Sequence, residues 1–457
     1  MGSVFARFAM PQLRSTTLHT RVTPSPGEQN IRAHPLREEL MLEVHARPFE
    51  PLTAPARGSH LAVMTETVDD AEVLAHLGQL CARYGAPIPP PGAKFYSQDL
   101  GPFRLRWEQH TEFATYTFIR MGAFKDPFAD AVITLVPFDW LEGLPGHTLA
   151  AVHFALEPKD APERDLEQLQ LVFGGNAVVG AEVTGGAARA WSDLRSHNDG
   201  FSRILIRDQS LRTLQAGRLV QRLLEINAYR LLTLLSLPLA REVTPRIRKV
   251  EGDVVELTSR IADGPTGQEK DLLDKLSGLA SEIEKIGAMT GSRFAGTRAY
   301  FDIVKARLGE IRQQRIQGIQ TYSEFLERRM VPAVNFVNAT AERLAALSER
   351  IERVAGLVRT RVEVQIEVQN RDLLASMDRR ARLQFRLQRV VESLSVVAIT
   401  YYVLGVFNYF LHGLVGLGLH FNEALVSGVA VPIIVVGVWL ILHRARKYLR
   451  KDTEADG

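Results

Sequence analysis

Two uncharged apolar stretches near the C-terminus constrain this chain more than any other feature. Residues 393–421 and 424–442 contain no Asp, Glu, Lys or Arg, and only a few residues separate them. A helix needs about 20 apolar residues to cross the hydrocarbon of a bilayer, and each stretch qualifies. The link GLHFNEA is too short to fold by itself, so the pair predicts a tight hairpin of two spanning helices. Gly413, Gly416 and Gly418 weaken the end of the first helix and shape the turn. Arg379, Arg380, Arg382, Arg386 and Arg389 precede the pair, Arg444, Arg446, Lys447, Arg450 and Lys451 follow it, and the link has no basic residue. Positive charge stays on the cytoplasmic side, which predicts a multi-pass protein of the cytoplasmic membrane with both termini inside. Tyr401, Tyr402, Tyr409 and Trp439 supply aromatic anchors. A buried helical pair in a soluble core would leave the matched basic flanks a coincidence.

The rest of the sequence has an ordinary globular composition. Its 457 residues exceed one compact core, and length alone suggests about two to four units. A net charge of +3 gives no global field for nucleic acid. The single cysteine, Cys81, excludes an internal disulfide framework and a cysteine zinc cluster. It falls on the apolar face of a helix in HLGQLCARYG, the place of a buried structural thiol rather than a nucleophile. Residues 1–33 are broken by Pro11, Pro24 and Pro26 and lack an apolar run, so they predict a disordered leader and not a secretory signal.

Residues 34–208 read as an α+β cytoplasmic domain, an antiparallel sheet with helices. SHLAVMTE, TLAAVHFALEP, AVVGAEV and FSRILIRD read as strands. FRLRWEQHTEFATYTFIR predicts an antiparallel pair turning near His110. DDAEVLAHLGQLCARYG predicts a helix that stops at Gly85. Gly185-Gly186 and Asn198-Asp199-Gly200 are turns. Residues 209–390 read as a long coiled-coil-like helical region. Ser210 is the expected cap of a helix running to Pro238, and a second helix is expected from Pro245 to Ile261. From Thr297 to Glu392 the helical pattern is expected to break once, at Pro332. Leu344, Leu347, Ile351, Val354, Val358, Val362 and Ile366 recur at steps of three and four, which predicts a seam. The transmembrane hairpin then takes 391–443, and a basic tail 444–457.

The strings HPLREELMLEVHARPF, AARAWSDLRSHNDGFSR and QAGRLVQRLLEINAYRLLTLLSLPLARE, with the run from EIRQQRIQGIQTYSEFLERR to SMDRRARLQFRLQRVVESLSVVAITYY, resemble a bacterial family of membrane-anchored proteins catalogued as domain of unknown function 3422. The resemblance covers about residues 34 to 450. It implies a cytoplasmic region on a membrane anchor and carries over no catalytic residue.

No catalytic or cofactor motif stands out. Gly174-Gly175 through Gly180 lacks the Lys and Ser/Thr of a phosphate loop, and no nucleophile elbow or helical metal-binding histidine pair is present. His34, His45 and His60, beside Glu38, Glu39 and Glu43, have the donor types for a divalent metal, although His34 precedes a proline at a helix start and His60 begins a strand. Asp193, Arg195, His197, Asp199 and Arg203 crowd WSDLRSHNDGFSR, where charges are either paired with one another or available to a ligand. Within the first apolar stretch Tyr401, Gly405, Asn408 and His412 share one helical face. That polar stripe serves either helix packing or a pore. His420, Asn422 and Glu423 on the outer link are the remaining candidates for a cation.

These features predict a membrane-anchored scaffold or binding module, not an enzyme, that self-associates through its long helices in contact with the lipid bilayer. The alternative is a cation channel or transporter, because the architecture resembles that of CorA-type magnesium channels. That family closes its first membrane helix with Gly-Met-Asn; this chain has Val406-Phe407-Asn408 and Phe421-Asn422-Glu423 instead.

Overall fold

The structure, a computed structural model, describes residues 34–37, 40–41, 48–263, 268–416 and 423–453. The leader expected at 1–33 lies outside the described residues. Contacts divide the chain into two units, Met1–Pro245 with Gly287–Glu342, and Arg246–Ile286 with Arg343–Gly457.

The first unit is built on a nine-stranded sheet. Its strands are β1 (Ala56–Met64), β2 (Phe95–Asp99), β3 (Arg104–Gln109), β4 (Phe113–Met121), β5 (His147–Glu157), β6 (Val179–Val183), β7 (Ala188–Ser192), β8 (Ser202–Asp208) and β9 (Gln314–Arg315), in the spatial order β2-β3-β4-β1-β5-β8-β7-β6-β9. Between them run the helices α1 (Asp70–Arg83), α2 (Phe138–Glu142) and α3 (Leu166–Val172), and α4 (Thr213–Leu234) follows β8. The expected β3–β4 hairpin forms, with Gln109 opposite Ala114. So does the stop of α1, where Gly85 takes φ +66°. The fold is α+β as read, but the sheet is mixed rather than antiparallel, because β5 and β8 pair in parallel, Val152 opposite Ser202. After β5 the chain passes through α3 and lays down the β6–β7 hairpin before returning beside β5, and a return by such a crossover is what a parallel pair requires.

Each strand alternates its side chains between the two faces. On one face Leu61, Val63, Leu105, Trp107, Tyr116 and Phe118 pack with Val73 and Leu77 of α1 and Trp140 of α2. On the opposite face α4 contributes Leu219, Val220, Leu223 and Ile226 to a core shared with Phe154, Leu156 and Ile206.

Three helical expectations need correction. Ser210 does not cap α4: its N–H bonds to Ala187 O, and the Gln215 side chain instead accepts from Arg212 N at 3.0 Å. The helix ends at Leu234, not at Pro238, and α5 (Ser236–Asp263) contains both Pro238 and Pro245. Pro332 lies inside α7 (Tyr322–Gly416) and does not interrupt it. The break falls instead after α6 (Glu269–Glu310), where Arg312 and Gly318 adopt positive φ and β9 adds to the edge of β6. The energetic reason is edge pairing: Thr184 N donates to Ile311 O and Gly180 N to Gln320 O, satisfying strand groups that would otherwise be open.

In the second unit, long helical segments each bury one stripe: Val250, Val254 and Leu257; Leu272, Leu276, Ile283 and Ile286; and Leu344, Leu347, Ile351, Val354 and Val358. Arg246 binds Glu282 at 2.7 Å, Arg343 binds Glu251 at 2.6 Å, and Arg361 donates to Ile261 O at 2.7 Å. The seam read from sequence is thus closed as far as Val358. It opens beyond, and Ile366 is 51% exposed. α8 (Glu423–Thr453) follows α7 after six residues outside the described set.

Candidate functional site

The polar positions of the first unit gather on the α4 side of the sheet. Strand register sets one row across four strands, Ser97, Arg106, Thr117 and His60, and beside it a second, Phe95, Glu108, Thr115 and Ala62. α4 closes over these rows with Gly217, Val220, Gln221, Leu224, Glu225, Ala228 and Tyr229, a single helical face. Gly217 is required there, since a Cβ would lie 1.7 Å from Glu50 O. Its absence lets the segment before β1 pass beneath the helix and deliver Glu50.

Charge in this pocket is balanced pair by pair. Glu50 is paired with Arg104 and accepts from Ser97 Oγ at 2.8 Å. Arg106 is paired with Glu108, donates to Pro48 O, and lies 5.0 Å over the Phe95 ring. Glu225 accepts from Gln221 Nε2 at 2.9 Å and is paired with Arg307. His60 Nδ1 shares a 2.8 Å hydrogen bond with Thr117 Oγ1. Burial, with His110 and Arg106 nearby, lowers its pKa to about 3, so the imidazole is neutral at physiological pH. Among the described residues His60 Nε2 and Gln221 Oε1 are buried without a hydrogen-bond partner, and both residues line the pocket. The space before them is about 40 Å³, room for about two or three water-sized groups.

His110 stacks on Phe113 at 4.3 Å, and Tyr229 stands edge-on to both. These three rings also line a wider outer cleft of about 540 Å³, together with Asp70, Lys94, Gln109, Thr111 and Tyr300. They therefore form the wall between cleft and pocket. Burial and the adjacent Glu112, which accepts from Tyr300 Oη at 2.8 Å, push the Tyr300 phenol up.

The pocket can hold a small polar group. Among the described residues no group of three His, Cys, Asp or Glu could hold a metal. Of the histidines read as a metal candidate, His34 is exposed and His60 is buried with Nδ1 bonded to Thr117 Oγ1. His45, Glu38, Glu39 and Glu43 lie outside the described residues. Cys81 is buried in α1, and burial raises its pKa, as suits a structural thiol.

The charged segment after β7 is internally paired. Asp193 is buried and accepts from Asn176 Nδ2 at 2.8 Å and from Arg195 N at 3.3 Å, with His197 Nε2 at 2.9 Å. Asp199 lies 3.8 Å from both His153 Nε2 and Arg203. His153 stacks on Phe201 at 3.9 Å and bonds to Ser59 Oγ; burial lowers its pKa to about 4. Within the cluster Asp193 stands beside His197 and Asp199 beside Arg203.

In the second unit Tyr401, Asn408 and His412 are exposed on α7, and Ser427 Oγ of α8 donates to Asn408 Oδ1 at 3.1 Å. His420 and Asn422 lie outside the described residues, as does the side chain of Glu423, the first residue of α8. Two helical stretches are long and apolar enough to cross a membrane, Thr213–Ala262 and Tyr322–Gly413, and Leu425–Ile441 is a shorter apolar one. The most apolar part of the first is 50% buried within the protein, whereas that of the second is 6% buried.

Sequence reasoning missed Gln221, Glu225 and Tyr229, which read only as the polar side of an amphipathic helix; the signal available was Gly217 at the same helical face. Among curated proteins nothing matches the chain. The model of a family described as proteins of unknown function (DUF3422) matches residues 32–449, and the chain belongs to that family.

Proposed function

We propose that the chain is a bilayer-anchored binding protein, self-associating and without catalytic activity, whose sheet unit and polar pocket face the cytoplasm. One observation carries this reading: the apolar end of α7 is bare. Leu394, Val397, Tyr401, Val406 and Tyr409 are each at least two-thirds exposed, as is Ile441 of α8. Each such side chain left in water forgoes about 1.5–3 kcal/mol of burial, so a cover is required. The half-buried α4–α5 stretch already has one in the protein core. Lipid fits the bare stretch because residues 393–416 and 424–442 are uncharged and basic residues occur only outside the pair, at Arg386 and Arg389 before it and from Arg444 after it.

The Ser427–Asn408 bond supports packing over conduction, since it uses on a neighbouring helix the amide that a pore would need. Self-association is supported by Ile366, Leu373 and Met377, which continue the apolar pattern past the closed seam and stay exposed. The balanced ion pairs of the pocket favour a small polar ligand over a multiply charged one.

Fractionation of cells tests the reading. The full chain should stay with membranes through high salt and alkaline carbonate and dissolve only in detergent, while a chain ending at Glu392 should be released. Recovery of the full chain in the soluble fraction would refute it.

A further inference from the structure

Three exposed arginines stand beside the apolar ends of α7 and α8. Arg386 and Arg389 are exposed on α7, and neither is paired with an acid among the described residues. Their neighbour Arg382 is different, held by Asp378 at 2.6 Å. Arg444 is likewise exposed on α8.

The Ser427–Asn408 bond fixes how these positions align. In an antiparallel pair each residue rises about 1.5 Å along either helix. Arg389 is nineteen residues before Asn408 and Arg444 seventeen after Ser427, so both stand about 26–28 Å from the contact, at one level. Trp439 stacks on His443 at 5.3 Å. It precedes Arg444 by five residues, about 8 Å deeper along the same axis. An exposed indole just inside a ring of exposed guanidinium groups matches the order of acyl chain, glycerol region and phosphate in a leaflet.

We propose that Arg386, Arg389 and Arg444 form a headgroup collar that selects anionic phospholipids around the hairpin. This rests on the bilayer reading above and adds a preference that the topology rule does not contain, since keeping positive charge inside says nothing about which lipid surrounds it. A guanidinium pairs with phosphate in a fixed fork and never loses its charge. Each juxtamembrane cation is worth about fivefold in local enrichment of anionic lipid, fading within a screening length of about 8–10 Å. Arg389 stands about 6 Å from the first uncharged residue, Ser393, and Arg386 about 10.5 Å, at the edge of that length, whereas Arg379 and Arg380 stand about 20 Å away.

Trp439 provides the readout. The other three tryptophans, Trp107, Trp140 and Trp191, are buried in the sheet unit, so brominated acyl chains quench Trp439 selectively. The full chain is reconstituted into phosphatidylcholine vesicles containing equal fractions of phosphatidylglycerol, with bromine on one lipid or the other. The expected result is stronger quenching by brominated phosphatidylglycerol, corresponding to at least about fivefold local enrichment, and clearly reduced in the Arg386→Gln/Arg389→Gln variant, which keeps only Arg444 of the three. Equal quenching by both lipids in the parent chain overturns the collar while leaving the anchor intact. A preference unchanged in the variant overturns the assignment to these arginines. Absence of quenching by either lipid removes Trp439 from the bilayer and defeats the anchor itself.

Discussion

Ser427 Oγ donates to Asn408 Oδ1 across 3.1 Å, so the most polar side chain of the apolar end of α7 is satisfied by α8. Interhelical hydrogen bonds of this kind contribute about 0.6 kcal/mol on average. Asn408→Ala and Ser427→Ala should each lower the thermal stability of the detergent-solubilised chain slightly, and the double variant should lose no more than the larger single effect plus the packing change. Fully additive losses would mean that the two side chains do not interact.

Acid should weaken the sheet unit through its buried histidines. His60 and His153 have folded pKa values of about 3 and about 4, both depressed chiefly by burial. The unfolded chain takes up their protons near pH 6.5. Between these values the unfolded state binds more protons than the folded one, so stability falls as pH drops. By pH 5 each histidine accounts for up to about 2 kcal/mol. Urea unfolding followed by the fluorescence of Trp107 and Trp140 should show the midpoint falling from pH 7 to pH 5, and His60→Asn should flatten that slope. A slope unchanged by the substitution would show that His60 is not neutral in the fold.

Asp193 is the hub of the segment after β7. Replacing it by Ala leaves Asn176 without its acceptor and His197 without its charged neighbour, and it removes the negative charge that partly offsets burial of Arg230, whose pKa is lowered to about 10. Uncompensated buried charge costs about 3–5 kcal/mol. Asp193→Ala should therefore lower the urea midpoint substantially, and Asp199→Ala, whose carboxylate is far more exposed, should lower it much less. Equal effects would contradict the hub assignment.

Self-association through α7 predicts a cross-link. Met377 is exposed and follows Leu373 by one helical step, and the one native thiol, Cys81, is buried. Met377→Cys should form disulfide-linked dimers in membranes under mild oxidation, whereas Arg382→Cys, off that stripe by five residues, should not. Monomer at both positions would place the apolar residues of this stretch against something other than a second copy.

What the sequence revealed depended on how local the cause was. The β3–β4 hairpin and the end of α1 follow from alternation and from Gly85, both short-range signals, and they formed where expected. The parallel β5–β8 contact joins residues separated by fifty positions, and nothing within either strand distinguishes a parallel neighbour from an antiparallel one. Pro332 looked like the helix break because it lacks an N–H, but α7 absorbs one lost bond, while the true break at Arg312 and Gly318 is stabilised by distant edge pairing. Likewise Arg106 and Glu108 read as ordinary strand charges until register set them beside His60 and Thr117 beneath Gly217.

Residue-level solvent access tests the anchor most directly. Val436 of α8 and Ala375 of α7 are both exposed in the chain taken alone, and the anchor places only Val436 in lipid. In intact membranes Ala375→Cys should react with a water-soluble maleimide, while Val436→Cys should react only after denaturation in detergent. Equal labelling of both cysteines before detergent is added would contradict the account.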